Sequence, residues 1–187
     1  MDVISYYNKL LEKNKNSPQS VGWGSRKSQN IRFKILAEIG DLKGKKILDY
    51  GCGTGELCQF LKKYKIGEYV GYDINNEMID VALKKYPKEI FRSYLNLMPY
   101  DYIFISGTFN LKMKNWEKET YKILRELWGI CRKGIAVNFL TSLSSFKDKK
   151  CYYVDPIEIL KFIRTLTNKF VLRHDYKEND FCLYLLK

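Results

Sequence analysis

A glycine-rich loop between a predicted strand and a predicted helix constrains the fold of this chain more than any other feature. Residues 47–56 read ILDYGCGTGE, with an apolar pattern before the glycines and a helical pattern after them. Glycines at such a junction allow a tight turn and let a ligand approach the backbone closely. The helix that follows offers unpaired N–H groups in its first turn. The loop therefore predicts a ligand site at the edge of a parallel α/β sheet.

The spacing of the glycines decides which ligand fits this loop. Dinucleotide-binding folds carry G-x-G-x-x-G, with a pyrophosphate on the helix. Here the third glycine comes one residue early, and Asp49 precedes the glycines, where a carboxylate would repel a pyrophosphate and attract an ammonium group. Asp73 comes 22 residues after Gly51, at the end of the second predicted strand, and is positioned to accept from ribose hydroxyls. The pattern indicates an adenosine without phosphates that carries an amino-acid tail.

From residue 45 onward the chain alternates between predicted strands and helices. Repeated β-α-β units predict an α/β fold, with a mostly parallel sheet covered by helices on both faces. The short turn 177–180 predicts an antiparallel hairpin between the last two strands. Residues 1–44 are predicted to form an N-terminal helical cap, and residues 45–187 the core of a single domain. The predicted strands are 46–50, 68–72, 90–93, 102–106, 135–140, 170–176 and 181–186. The predicted helices are 3–13, a second helix that is capped by Ser25 or Ser28 and ends at 39, then 55–64, 76–86, 116–133 (closed by Gly134) and 156–165.

The amino-acid composition limits which binding partners and which cellular compartment we expect for this protein. The 187 residues carry 33 basic and 21 acidic side chains, a net charge of +12, but 26 of the basic residues are Lys and these are spread along the chain. This distribution favours a solvated Lys-rich surface over a polyanion-binding face. There is no run of 18 apolar residues, and the polar N-terminus does not resemble a signal peptide. We therefore expect a cytoplasmic protein without a membrane partner.

The cysteines do not predict a metal site. The five cysteines form no C-x-x-C pair, and the chain has one histidine. Zinc sites usually need such pairs or several histidines. Free thiols and no bound metal are therefore expected.

Two sequence motifs resemble those of the class I methyltransferase family, which uses S-adenosylmethionine and releases S-adenosylhomocysteine. They are L-D-x-G-C-G-T-G at 48–55 and V-G-x-D at 70–73, and the strand 101–106 follows in the expected order. The resemblance covers about residues 43–140. It implies a Rossmann-like, doubly wound sheet of seven strands in the order 3-2-1-4-5-7-6, with the last strand antiparallel.

The resemblance also implies which residues contact the cofactor. Asp49 would meet the ammonium end, the loop glycines would pass under the methionine part, Asp73 would hold the ribose and Ile74 would flank the adenine. The third strand is followed by Asn96 where many relatives carry an acidic residue for the adenine amino group. Arg32 would meet the cofactor carboxylate. The predicted cofactor set is Arg32, Asp49, Gly51, Cys52, Gly53, Gly55, Asp73, Ile74, Asn96 and Ser106.

The methyl acceptor is expected at the same edge of the sheet, beyond the carboxyl ends of the strands. Trp23, Phe109, Asn110 and Tyr176 are the predicted acceptor contacts. The single histidine, His174, also falls at this edge, and with Asp180 or Asp175 it could serve as a general base for a hydroxyl acceptor. The alternative is a histidine that is hydrogen-bonded within the hairpin.

Three functions remain open at this level. The first is methyl transfer to oxygen or nitrogen of a small molecule, favoured by the compact size. The second is a nucleic-acid methyltransferase, supported by the net charge, although the N-P-P-Y motif typical of adenine and cytosine N-methylation is absent after strand 102–106. The third is a non-catalytic protein that binds S-adenosylmethionine. The sequence does not predict the oligomeric state.

Overall fold

A computed structural model describes residues 2–15 and 17–187. Its strands form one seven-stranded sheet in the order β3-β2-β1-β4-β5-β7-β6, which confirms the predicted topology. The helices are α1 Val3–Asn14, α2 Arg26–Ala37, α3 Glu56–Leu61, α4 Asn76–Lys85, α5 Trp116–Ile130 and α6 Pro156–Ile163, with short 3-10 turns at Pro18–Val21 and Lys62–Tyr64. The strands are β1 Lys46–Tyr50, β2 Glu68–Tyr72, β3 Ile90–Arg92, β4 Tyr100–Ile105, β5 Cys131–Leu140, β6 Phe170–Arg173 and β7 Asp180–Leu186.

The sheet is parallel except at its last strand. β1 lies at the centre, parallel to β2 on one side and to β4 on the other. β7 runs antiparallel between β5 and β6, as the hairpin prediction requires. The carboxyl ends of β1, β2, β4 and β5 consequently meet at one edge.

Apolar side chains fill a core on each face of the sheet. On one face, α2, α3 and α4 contribute buried residues such as Leu36, Leu57 and Ala82. On the other face, α5 and α6 contribute residues such as Leu124 and Ile159. Both faces are therefore covered by helices, which is why the central strands are apolar throughout rather than alternating.

The end of α5 differs from the sequence prediction. The helix was expected to run to residue 133 and to be closed by Gly134, but it ends at Ile130, and Gly134 lies inside β5. A Cβ at Gly134 would lie 2.8 Å from the carbonyl oxygen of Leu185 on β7. The glycine thus allows two strands to approach, rather than ending a helix.

The N-terminal segment has two parts with different surroundings. α1 is capped by Asp2, whose side chain accepts from the Ser5 N–H, and has no fully buried residue. It is held at the start of α4, where Asn8 donates to Glu77 and accepts from Asn75. α2 is instead packed into the core. α1 therefore borders the carboxyl edge of the sheet from outside.

Three further expectations can be compared with the described residues. No helix within residues 2–15 and 17–187 is long and apolar enough to cross a membrane. The five cysteines carry free thiols. In that same part of the chain, no group of three or more His, Cys, Asp or Glu side chains is arranged to hold a metal ion.

Candidate functional site

A cavity of about 260 Å³ opens at the carboxyl edge of the sheet. It lies between β1 and β4, where the strand order reverses and where open α/β sheets bind their ligands. α1 and the 3-10 turn border it from outside through Val3, Ile4, Tyr7 and Val21. The predicted residues that line it are Trp23, Asp49, Gly51, Cys52, Gly53, Asp73, Ile74, Ser106 and Phe109.

The loop after β1 needs its glycines for two different reasons. Gly51, Gly53 and Gly55 have φ of +78°, +52° and +84°, which are left-handed values that glycine adopts without strain. A Cβ at Gly51 would lie 2.2 Å from the Thr108 hydroxyl oxygen, so this position also has no room for a side chain. Gly55 does not line the cavity, and a Cβ there would lie 2.8 Å from the Phe91 ring. Gly51 and Gly53 therefore shape the cavity wall, and Gly55 lets α3 begin close to β3.

Asp73 fastens the loop to the end of β2. Its carboxylate accepts from the Gly53 N–H at 2.8 Å and from the Asn75 N–H at 2.9 Å. Burial raises the pKa of Asp73, and these two backbone donors oppose the shift. Each carboxylate oxygen keeps a second lone pair, so the group can still accept from a ligand in the cavity.

Asp49 is a buried carboxyl group with a shifted pKa. It is 2% exposed and accepts from the Tyr69 hydroxyl at 2.6 Å. Burial raises the pKa of Asp49 to about 7, Asp73 and Glu56 add to the shift, and the Tyr69 hydrogen bond opposes it. A cation that binds beside Asp49 would favour its charged form.

One group of the residues that line the cavity is apolar and aromatic. Tyr50, Phe109, Leu111, Met113 and Ile123 line it together with Trp23, which packs on the Gly107 turn. The phenol groups of Tyr7 and Tyr50 have pKa values raised chiefly by burial, so they stay protonated near neutral pH. This wall suits a flat, largely apolar molecule.

The charged side chains that line the cavity in the described part of the chain are all acidic. Asp49, Glu56 and Asp73 line it, and the lining includes no Lys or Arg from the described part of the chain. Glu56 is paired with Lys85 at 2.7 Å, and Lys85 does not line the cavity. A phosphate would find no cationic side chain among the residues that line this cavity.

A buried network of polar side chains lies next to Trp23. Asp180 is fully buried and accepts from Arg32 Nε at 2.8 Å, from Asn138 Nδ2 at 3.0 Å and from the Tyr176 hydroxyl. Asn138 Oδ1 in turn accepts from the Gly107 N–H at 2.9 Å. The Arg32 guanidinium lies 4.8 Å from the Trp23 ring centroid. Three predicted site residues, Arg32, Tyr176 and Asp180, are thus brought together, but outside the cavity lining.

The remaining predicted residues lie apart from the cavity. The His174 ring nitrogen Nε2 is 3.2 Å from the Glu178 carbonyl oxygen, within the hairpin, and His174 does not line the cavity. Asn96 lies in the segment after β3, where its carbonyl accepts from the Tyr100 hydroxyl, and it does not line the cavity either. Asn110 is beside the Gly107 turn, and its Oδ1 has no partner among the described residues.

Sequence reasoning missed several residues that line the cavity. Val3 and Ile4 come from α1, and Gln29 from the first turns of α2. The apolar periodicity of α1 was a usable signal, because an amphipathic helix must cover something. Gln29 gave no signal of this kind, since its burial depends on how α2 packs.

Comparison with known proteins agrees with this geometry. The methyltransferase domain family matches residues 25–171. A demethylmenaquinone methyltransferase from Chlorobaculum tepidum is 27% identical over 141 residues, which is 72% of this chain and 57% of that protein. This chain therefore spans less than two thirds of the length of that relative.

Solved structures share the fold at low sequence identity. A methyltransferase dependent on S-adenosylmethionine from Aquifex aeolicus has a TM-score of 0.67 and 19% identity, with 98% of each chain covered. Magnesium protoporphyrin IX methyltransferase from Synechocystis, crystallised with bound S-adenosylhomocysteine, has a TM-score of 0.66 and 15% identity, covering 85% of this chain and 82% of that one.

Proposed function

The chain belongs to the methyltransferase domain family, whose class I members use S-adenosylmethionine, and from that premise we propose that it methylates oxygen or nitrogen of a small, mostly apolar acceptor. The observation that carries the choice of acceptor is the cavity lining, which combines an aromatic wall with three carboxylates and no basic side chain from the described residues. The Chlorobaculum tepidum relative is named for a demethylmenaquinone substrate, which is not a nucleic acid.

The cavity residues that follow β1 and β2 fit the family's cofactor. Gly51 and Gly53 leave the loop backbone open to a ligand, and Asp73 keeps acceptor capacity for ribose hydroxyls. Asp49 is a carboxyl group that a nearby cation would keep charged. Ile74 is 60% exposed at the rim and would offer an apolar surface to a base.

When bound, the cofactor supplies a methyl group on a sulfonium, which is already a good leaving group. The protein therefore needs mainly to orient the acceptor atom and to exclude water. Trp23, Tyr50 and Phe109 would hold a flat acceptor through their faces, and α1 would cover it with Ile4 and Tyr7. A hydroxyl acceptor would also lose a proton, and the raised pKa values of Tyr7 and Tyr50 make these phenols poor bases near neutral pH.

Binding of S-adenosylhomocysteine tests the cofactor assignment. Calorimetric titration should give micromolar affinity for S-adenosylhomocysteine and none for NADH. Asp73→Asn should weaken binding by about tenfold or more, because it removes a charged hydrogen-bond acceptor. Asp80→Ala, which removes an exposed carboxylate on the same helix that Asp73 precedes, should leave the affinity unchanged. A folded protein that does not bind S-adenosylhomocysteine would overturn the proposal.

Transfer of a labelled methyl group tests the acceptor class. The protein is incubated with labelled S-adenosylmethionine and either a mixture of phenols, naphthols and aromatic amines or total RNA. Label in the organic extract of the first mixture supports a small-molecule acceptor. Label in precipitated RNA, with none in the extract, would overturn it in favour of a nucleic-acid substrate.

A further inference from the structure

Two buried polar groups in the cavity wall have no hydrogen-bond partner within residues 2–15 and 17–187. One is Oε1 of Gln29, a residue that is 1% exposed, and the other is the hydroxyl oxygen of Ser106. Both residues line the cavity, Gln29 from α2 and Ser106 from the end of β4. A buried polar group without a partner destabilises a fold, so an unpaired carboxamide oxygen and an unpaired hydroxyl oxygen in one cavity lining point to a ligand that pairs with them.

The chain before α2 brings Gln29 to the space between two loops. Val21 lies against the first loop, with its Cγ1 3.0 Å from where a Cβ of Gly53 would stand. Trp23, two residues later, lies against the second loop, where its ring is 2.9 Å from the position that a Cβ of Gly107 would occupy. Ser25 then caps α2 by accepting from the Ser28 N–H. Gln29 follows on the first turns, so it reaches the cavity beside both loops.

Arg32, which the sequence suggested for the cofactor carboxylate, is committed elsewhere. Its Nε binds Asp180, and its Nη1 donates to the Ser28 hydroxyl at 2.6 Å. It is 4% exposed and does not line the cavity. With no cation among the described lining residues, a carboxylate inside the cavity needs neutral donors, and a carboxamide and a hydroxyl supply them.

We infer that Gln29 and Ser106 bind the amino-acid end of the cofactor, with Asp49 beside the ammonium group. The inference rests on the proposed use of S-adenosylmethionine. A carboxamide can donate to a carboxylate and accept from an ammonium, and a hydroxyl can do the same, so the pair suits a zwitterion. A mostly apolar acceptor has less use for two such groups.

The test compares two ligands that differ only at that end. S-adenosylhomocysteine carries the amino-acid end, whereas 5′-methylthioadenosine keeps the adenosine and the sulfur without it. Both are titrated into the wild type, Gln29→Met and Ser106→Ala. Met keeps the length and helix preference of Gln but cannot form these hydrogen bonds. Gln59→Met, on the exposed side of α3, is the matched control.

We expect the substitutions to weaken the binding of S-adenosylhomocysteine much more than that of 5′-methylthioadenosine. Gln29→Met should weaken S-adenosylhomocysteine by about tenfold and 5′-methylthioadenosine by less than about twofold, because a hydrogen bond to a charged group is lost only with the first ligand. Ser106→Ala should do the same to a smaller extent, and Gln59→Met should change neither affinity. The melting temperature of ligand-free Gln29→Met should not fall, since an unpaired polar group is removed.

Other outcomes are separable. Unchanged S-adenosylhomocysteine affinity in Gln29→Met would overturn the inference and leave Gln29 for the acceptor. An equal loss for both ligands would also overturn it, because the substitution would then act on the shape of the whole cavity. Failure of the wild type to bind either ligand would refute the proposed function itself.

Discussion

Asp49 is a buried carboxyl group at the site where we propose that a cation binds. Its pKa of about 7 arises because burial disfavours the charge, and because Asp73 and Glu56 are close. A bound ammonium or sulfonium would lower that pKa, so binding below pH 7 must release a proton. We expect the affinity for S-adenosylhomocysteine to be level above pH 7 and to fall by up to about tenfold per pH unit below it.

Calorimetry at about pH 6 in two buffers of different ionisation enthalpy would measure this proton release. The observed binding enthalpy should differ between the buffers by nearly one ionisation enthalpy. Asp49→Asn keeps an acceptor for the Tyr69 hydroxyl and should bind more weakly, with no dependence on pH over this range. A wild-type affinity that does not change between about pH 6 and pH 8 would contradict the prediction.

Gly51 combines a left-handed backbone with a position in the cavity wall that has no room for a side chain. Its φ of +78° strains any other residue, and Thr108 occupies the space of a Cβ. Gly51→Ala should lower the free energy of unfolding by about 1–3 kcal/mol and abolish measurable binding of S-adenosylhomocysteine. Gly24→Ala has open space around it and should change neither quantity.

The two costs at Gly51 can be separated by a double substitution. Gly51→Ala with Thr108→Ala removes the Thr108 hydroxyl and methyl groups that a Cβ would meet, and Thr108→Ala alone is the reference for the lost hydrogen bond to the Tyr50 carbonyl. In urea unfolding, Gly51→Ala should cost less in the Thr108→Ala background than in the wild type, with the remaining cost due mainly to the left-handed backbone. Wild-type stability in Gly51→Ala alone would show that the loop relaxes without cost.

At the scale of the elements, local patterns predicted the strands well and the long-range partners poorly. β1 and β2 begin and end at the residues expected, because their apolar runs are bounded by clear turn signals. Gly134 misled the prediction, since a glycine after a helix usually ends it, and only the neighbouring strand explains its position in β5. The glycine loop was predicted because its conformation is encoded in a contiguous segment.

The partner of Arg32 could not be predicted in the same way. Asp180 lies 148 residues away along the chain, and nothing local distinguishes Arg32 from an exposed arginine. The pairing follows from α2 packing close to the start of β7. The cavity-lining residues Ile4 and Gln29 were missed for the same reason, because α1 and α2 deliver them from outside the motifs.

The Arg32–Asp180 pair connects α2 to β7, so we expect it to contribute to the free energy of unfolding. Both side chains are buried, so Arg32→Met leaves a buried carboxylate short of one donor and should cost about 3–5 kcal/mol in urea unfolding. Adding Asp180→Asn removes that charge and should restore at least half of the loss. No recovery in the double variant would show that Arg32 acts through its contact with Trp23 instead.

At the scale of the whole molecule, the net charge of +12 and the acidic cavity are separate features. The sheet topology brings Asp49 and Asp73 to one edge, whereas the 26 lysines are distributed along the whole chain. The net positive charge of the protein therefore does not predict the charge of the cavity. A net-neutral ligand such as S-adenosylhomocysteine should respond weakly to salt, even though the protein is strongly basic.

The salt dependence of binding should separate these two features. Raising the salt from about 50 to about 500 mM should change the affinity for S-adenosylhomocysteine by less than about threefold, because short contacts in a cavity are little screened. Any binding of RNA to the Lys-rich surface should weaken steeply over the same range, since it would depend on counterion release. RNA should also fail to alter S-adenosylhomocysteine affinity, because the described cavity lining has no cation for its phosphates. Tight, salt-resistant RNA binding that strengthens with S-adenosylhomocysteine would instead indicate that a nucleic acid enters the site.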